Sequence, residues 1–131
     1  MASCLVTDWR SFDLRAELAQ MAVGSGGRFL VADIVEALDQ GRMQAWLSVD
    51  HGAVDCLMVT ELIRYPRLTT LRYIAAVGRF PTRWLRFARD IENQARAMGC
   101  DRLETMAPRR WSGLLRALGW SEFHVLSEKP L

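Results

Sequence analysis

The sequence predicts an α/β fold, with a mixed, mostly antiparallel central sheet flanked by helices, in a single domain spanning residues 1–131. Three observations predict it. Apolar residues recur at every second position from Met43 to Val49, and after a turn a longer apolar run, Val54 to Ile63, returns beside it. Between such runs they recur at helical spacing, most clearly from Trp84 to Met98. From Thr70 onward the order is strand, glycine turn, long helix, strand, short helix and final strand, and a helical crossover of that kind joins parallel neighbours.

The elements follow in order. Leu14, Leu18, Ala19 and Met21 fall at helical spacings over residues 12–22, and the run Gly24-Ser25-Gly26-Gly27 stops that helix because glycine loses the most backbone freedom when ordered. No strand precedes these glycines and no Gly-Lys-Ser/Thr ending follows, so they read as a connection and not a phosphate cradle. Val31, Ile34, Val35 and Leu38 mark a second helix that Gly41 terminates. Met43, Ala45, Leu47 and Val49 alternate with Gln44, Trp46 and Ser48, the pattern of a half-buried strand. Asp50-His51-Gly52 turns the chain, so His51 reads as an exposed turn residue, and Val54–Ile63 returns beside the first strand. Tyr65-Pro66-Arg67 interrupts, and Leu71–Val77 resumes. Its unbroken Ile74-Ala75-Ala76-Val77 predicts a central strand covered on both faces. Pro81 suits a first helical turn, where a missing N–H costs nothing. Trp84, Phe87, Ala88, Ile91, Ala95 and Met98 then form one stripe, which Gly99 closes. Leu103–Met106 is a short strand. Ser112 can cap the last helix, with Leu114, Leu115 and Leu118 inward and Gly119 at its end. Phe123, Val125 and Ser127 predict one face of a final strand. The amino-terminal region lacks a first strand unless Cys4-Leu5-Val6 supplies it, and an abbreviated sheet would complete its edge through a protein partner or a second copy as a homo-oligomer.

Composition narrows the function classes. Half of the 131 residues are hydrophobic, and five tryptophans and six methionines can fill one layered core. The formal charge of +2 gives no electrostatic drive toward nucleic acid or an acidic membrane surface. No apolar run is long enough for a membrane span and no signal peptide opens the chain. Cys4, Cys56 and Cys100, with His51 and His124, have no metal-ligand spacing, so no metal site is expected. Arg109-Arg110-Trp111 reads first as a tryptophan stapling the start of the last helix, with contact to an acidic partner as the alternative; three residues do not make a nucleic-acid groove.

The strand ending in Ile74-Ala75-Ala76-Val77, the basic loop Gly78-Arg79-Phe80-Pro81-Thr82-Arg83 and the closing Leu114-Leu115-Arg116-Ala117-Leu118-Gly119-Trp120 together resemble the GCN5-related N-acetyltransferase family, over about residues 29–131. The resemblance implies an acyl-CoA N-acyltransferase-like fold, acetyl-CoA as cofactor and a primary amine as acceptor. It implies that the backbone of Ala75, Ala76 and Val77 binds the pantetheine arm and that Arg79 and Arg83 bind the pyrophosphate, at a helix start that offers unpaired N–H donors. Glu61, on the preceding strand, matches the place of family general bases, against the simpler reading of a carboxylate paired with Arg64 or Arg72. Tyr73 orients a substrate or packs. Cys100 and His124 are not expected to take part in the chemistry.

The chain also departs from the family. The loop's inner glycines are replaced by Phe80, Pro81 or Arg83, Leu115 stands where a tyrosine acid is common, and Pro108 falls near a frequent asparagine. These departures bear on catalysis and leave the fold untouched. They open a second reading, a non-catalytic structural or protein-interaction protein on the same scaffold. The chain is similar in size to compact members encoded by bacteriophages, some virion-associated. That implies a cytoplasmic location, or the virion if the chain is phage-encoded.

Overall fold

The computed structural model describes residues 2–6, 8–78 and 82–131, with side chains for 8–78 and 84–131. Five strands form one sheet in sequence order: β1 (Ala2–Val6), β2 (Met43–Asp50), β3 (Ala53–Arg64), β4 (Thr69–Gly78) and β5 (Arg102–Thr105). The first three pairings are antiparallel. β4 and β5 are parallel, joined through helix α3 (Thr82–Ala97). Helices α1 (Arg15–Gly24) and α2 (Val31–Asp39) precede the β2–β3 hairpin, and α4 (Ser112–Ala117) follows β5. This is the mixed, mostly antiparallel α/β architecture that the periodicities predict. Cys4-Leu5-Val6 does lie on a first strand, paired with β2.

Local sequence explains the boundaries. His51 and Gly52 both have positive φ (50° and 79°), the two-residue hairpin turn whose twist matches its strands. Gly99 (φ 85°) and Gly119 (φ 92°) end α3 and α4 in the same way. In each, the next residue's N–H bonds back to the carbonyl five positions earlier, Cys100 to Ala95 at 3.0 Å and Trp120 to Leu115 at 2.9 Å.

The sheet buries both faces. On one, Ala45, Leu47, Leu57 and Val59 pack with Leu18 and Met21 of α1 and Ile34, Ala37 and Leu38 of α2. On the other, Trp46, Cys56, Met58 and Leu71 pack with Phe87, Ile91 and Ala95 of α3. Fully burying side chains such as Phe87 or Ile91 stabilises by about 1.5–3 kcal/mol each. β2 is therefore not half-buried: Trp46 is 0% exposed, because α3 covers the face that alternation assigned to water. Its indole N–H is satisfied by Thr60 Oγ1 at 2.7 Å, and the Thr60 hydroxyl donates to Gln44 Oε1 at 3.0 Å.

Other expectations need correction. α1 begins at Arg15 and not at residue 12, and Ala19 is exposed. Val31 and Met98 stay largely exposed at helix ends. Ser112 makes no side-chain capping bond, and α4 buries none of its residues, with Leu114 and Leu118 exposed. A helix of six residues covers little of the sheet. No final strand forms: residues 120–131 are outside any strand, with Phe123 85% and Val125 80% exposed. Their alternation suits a strand, but a strand exists only with a ladder partner, and none of the described residues pairs with them. Among the described residues no helix is long and apolar enough to cross a membrane, and no three His, Cys, Asp or Glu side chains converge as around a metal ion.

Candidate active site

The feature that singles out one region is where β4 loses a neighbour. β5 pairs with β4 only from Thr70↔Arg102 to Tyr73↔Thr105, whereas β3 stays paired with β4 as far as Cys56↔Gly78. From Ile74 to Gly78, β4 is therefore bonded to β3 on one side and, among the described residues, to no strand on the other. The β3–β4 register also slips here: Thr60 lies opposite Tyr73 and Val59 opposite Ala75, so Ile74 is an extra residue in a bulge. A bulge bends its strand and sharpens the local twist, here at the point where the β4–β5 pairing stops. In an antiparallel ladder alternate residues point both polar groups away from the partner, so this stretch offers main-chain donors to the open side.

Side chains leave that edge accessible. Ala76 is exposed and Ile74, Ala75 and Val77 are half-buried, so this end is not covered on both faces as the apolar run suggested. It runs past the last residue of β5, and Ile74, Ala75 and Val77 pack only partly against the cluster under α1 and α2. Gly78 closes the stretch against β3. A Cβ there would lie 2.7 Å from Cys56 Sγ and 3.0 Å from Cys56 Cα, so only glycine lets the strands meet at this point.

The residues singled out in the sequence fall as follows. Ala75, Ala76 and Val77 are together on the open stretch. Arg79, with Phe80 and Pro81, lies outside the described residues, and Arg83 is on the first turn of α3 with its side chain not described. Glu61 and Tyr73 are at the same level of the sheet but on opposite faces. Tyr73 packs with the cluster under α3, opposite Thr60. Glu61 alternates with Thr60 and Leu62 and so shares the face of Val59, beneath α1 and α2.

Tyr73 sits where the β4–β5 pairing ends. Its ring lies 5.6 Å from that of Trp120, and Thr105 Oγ1 donates to its carbonyl at 3.4 Å. Burial, reinforced by the Glu92 carboxylate, raises the phenol above its ordinary range, so it stays protonated at neutral pH. Glu61 does not pair with Arg72. Arg72 instead donates through Nε to Glu104 Oε1 at 2.8 Å and through Nη2 to Tyr65 Oη at 3.1 Å. Register places Met43, Glu61, Arg72 and Glu104 side by side across four strands, so this face carries two carboxylates flanking one arginine.

Two acidic residues were missed by the sequence reading. Glu104 is found only once β5 is in register with β4. Glu17 shares the inner flank of α1 with Leu14, Leu18 and Met21, and one of its carboxylate oxygens is sealed from solvent with no hydrogen-bond partner among the described residues. Its i−3, i+1 and i+4 spacing to those leucines and methionine was the available signal. Cys100 is half-buried and its thiol pKa is raised by burial and by Asp101, against a lowering from Arg64, which makes it a poor nucleophile. His51 and His124 are exposed.

No family model matches the sequence, and no curated protein matches it. Solved structures do match. A mutant of the BH1408 protein from Bacillus halodurans superposes with a TM-score of 0.73 at 13% identity, covering 100% of this chain and 99% of that one. A predicted acetyltransferase with acetyl-CoA from Clostridium acetobutylicum gives 0.70 at 9%, covering 98% and 95%. The ribosomal-protein-alanine N-acetyltransferase of Brucella melitensis biovar Abortus 2308 gives 0.65 at 13%, covering 97% and 100%. Identities this low speak for architecture alone. The chain has an acyl-CoA N-acyltransferase-like fold like that of the two acetyltransferases, with β5 at the sheet's edge and paired to β4 over only four residues.

Proposed function

We propose that the chain is an acetyl-CoA-dependent N-acetyltransferase acting on a primary amine. The observation that carries this reading is the one-sided β4 edge from Ile74 to Gly78, a row of main-chain groups bordered by small side chains. Its chemistry fits the amide-rich pantetheine arm, which needs backbone donors and acceptors along an extended groove. The backbone of Ala75, Ala76 and Val77 holds that arm, while Arg79, Arg83 and the start of α3 hold the pyrophosphate. When bound, the cofactor supplies an acetyl thioester that an uncharged amine can attack directly.

The protein's own groups then divide between the two faces. Glu61, under α1 and α2, removes a proton from the incoming ammonium. Tyr73, under α3, keeps its proton and orients the acyl end from the other face. Amine and cofactor therefore approach from opposite sides of the opening and meet where β4 leaves β5.

A thiol-release assay with acetyl-CoA and a panel of polyamines, aminoglycosides and amino-terminal peptides tests the reading. Amine-dependent release supports it. The alternative, a non-catalytic interaction protein, is favoured by one observation, the exposed Phe123, Val125 and Leu126. Absence of release together with absence of coenzyme A binding decides for that alternative.

A further inference from the structure

We infer that the acceptor is a monoamine with an apolar body, whether a small molecule or the first residue of a peptide, and that Phe123, Val125 and Leu126 select it. The inference rests on the acetyltransferase reading above. Two contacts place the segment that carries these side chains. At its start the Trp120 ring lies 5.6 Å from that of Tyr73, at the last pair of the β4–β5 ladder. At its end Arg28 Nη2, on the connection between α1 and α2, donates to Glu128 Oε2 at 2.7 Å. Residues 121–127 therefore bridge from the point where β4 and β5 stop pairing to the two helices that cover the Glu61 face.

Both of the elements joined by that ion pair expose apolar side chains. Phe123 is 85% exposed, Val125 and Leu126 are also open, and Val23 and Leu30 flank Arg28 on the α1–α2 connection. Isolated exposed apolar residues are ordinary, but a group of them on two elements clasped together marks a binding surface. The clasp is anchored on its own side too, since Arg28 Nη1 donates to the Ser25 carbonyl at 3.3 Å. Charge then says which amines suit this surface. Arg28 and Lys129 balance Glu122 and Glu128, so residues 23–30 and 121–129 together carry no formal net charge. Glu104, beside Glu61 on the sheet, is already paired with Arg72. A polyamine or aminoglycoside must desolvate several ammonium groups and needs a carboxylate for each, a surplus that these elements do not hold. A single ammonium needs only the one base, and an apolar body gains by covering Phe123, Val125 and Leu126.

Initial rates at saturating acetyl-CoA test this with four acceptors: phenylethylamine, a peptide with amino-terminal phenylalanine, spermidine and the aminoglycoside kanamycin. The better of the two apolar monoamines is expected to exceed both polycations in kcat/KM by about 100-fold, and which of the two it is separates a small-molecule acceptor from a peptide. Phe123→Ser with Leu126→Ser is expected to raise KM for that acceptor about tenfold, with kcat within about twofold and coenzyme A affinity unchanged. Both side chains are exposed and outside the core, so the far-ultraviolet dichroism spectrum stays the same. Spermidine or kanamycin turned over as well as the apolar amines overturns the inference and leaves the acetyltransferase reading standing. So does an unchanged KM in the double variant. Absence of thiol release with every acceptor overturns both.

Discussion

Thr60→Val is a test of the core that carries the site, because valine matches threonine in shape and favours a strand, so the hydroxyl alone is removed. Thr60 and Trp46 are both 0% exposed, and the Trp46 indole N–H has Thr60 Oγ1 as its partner at 2.7 Å. Water cannot take the place of that acceptor, so the substitution leaves a buried donor unsatisfied at a cost of about 1–3 kcal/mol. Gln44 is half-buried and turns its freed amide to solvent, adding little. In a chain of this size the midpoint falls by roughly 3–5 °C per kcal/mol, so a loss of about 2 kcal/mol lowers Tm by roughly 6–10 °C. Urea unfolding with an unchanged m-value measures the loss directly. A double-mutant cycle isolates its origin: Trp46→Phe should cost about 1–2 kcal/mol less in the Thr60→Val background than in the parent. A loss below about 0.5 kcal/mol, or no coupling between the two positions, refutes the assignment of this bond as the one that satisfies the buried indole.

Gly78→Ala forces a Cβ to 2.7 Å from Cys56 Sγ and 3.0 Å from Cys56 Cα, and because the second neighbour is backbone the strands must shift. The expected loss is about 1–3 kcal/mol by thermal unfolding, and no measurable loss contradicts the close β3–β4 approach. Glu61→Gln removes a base without changing shape, so turnover with a primary amine should fall about 100-fold or more while affinity for acetyl-CoA changes little. Equal turnover for the two proteins removes Glu61 from its role.

The sheet was legible because β2 alternates, β3 and β4 are apolar runs bounded by turn residues, and the turns have the residues their backbone demands, as His51-Gly52 shows. What the sequence misjudged were properties that depend on neighbours. Trp46 sat in the polar phase of β2, and only α3 packing on the second face explains its burial. The run Ile74–Val77 looked enclosed, but β5 is four residues long and ends before reaching it. Phe123 and Val125 have strand spacing and no strand to join. At the site, Ala75, Ala76 and Val77 were legible from the resemblance of one strand end to a known family. Glu104 was not, because its position beside Arg72 is set by a parallel register between residues 32 positions apart. Arg72 chose Glu104 over Glu61 for the same reason. The one-residue bulge at Ile74, where the β4–β5 pairing stops, is announced by no local pattern.

The most direct measurement is a coenzyme A titration followed by backbone amide resonances. Saturable shifts that begin at Ile74 and run to Gly78 on β4, and leave the paired stretch Thr70–Arg72 in place, are the predicted result. Resonances of 74–78 that stay fixed at millimolar coenzyme A, or shifts confined to another part of the molecule, contradict the assignment of the open β4 edge as a cofactor groove.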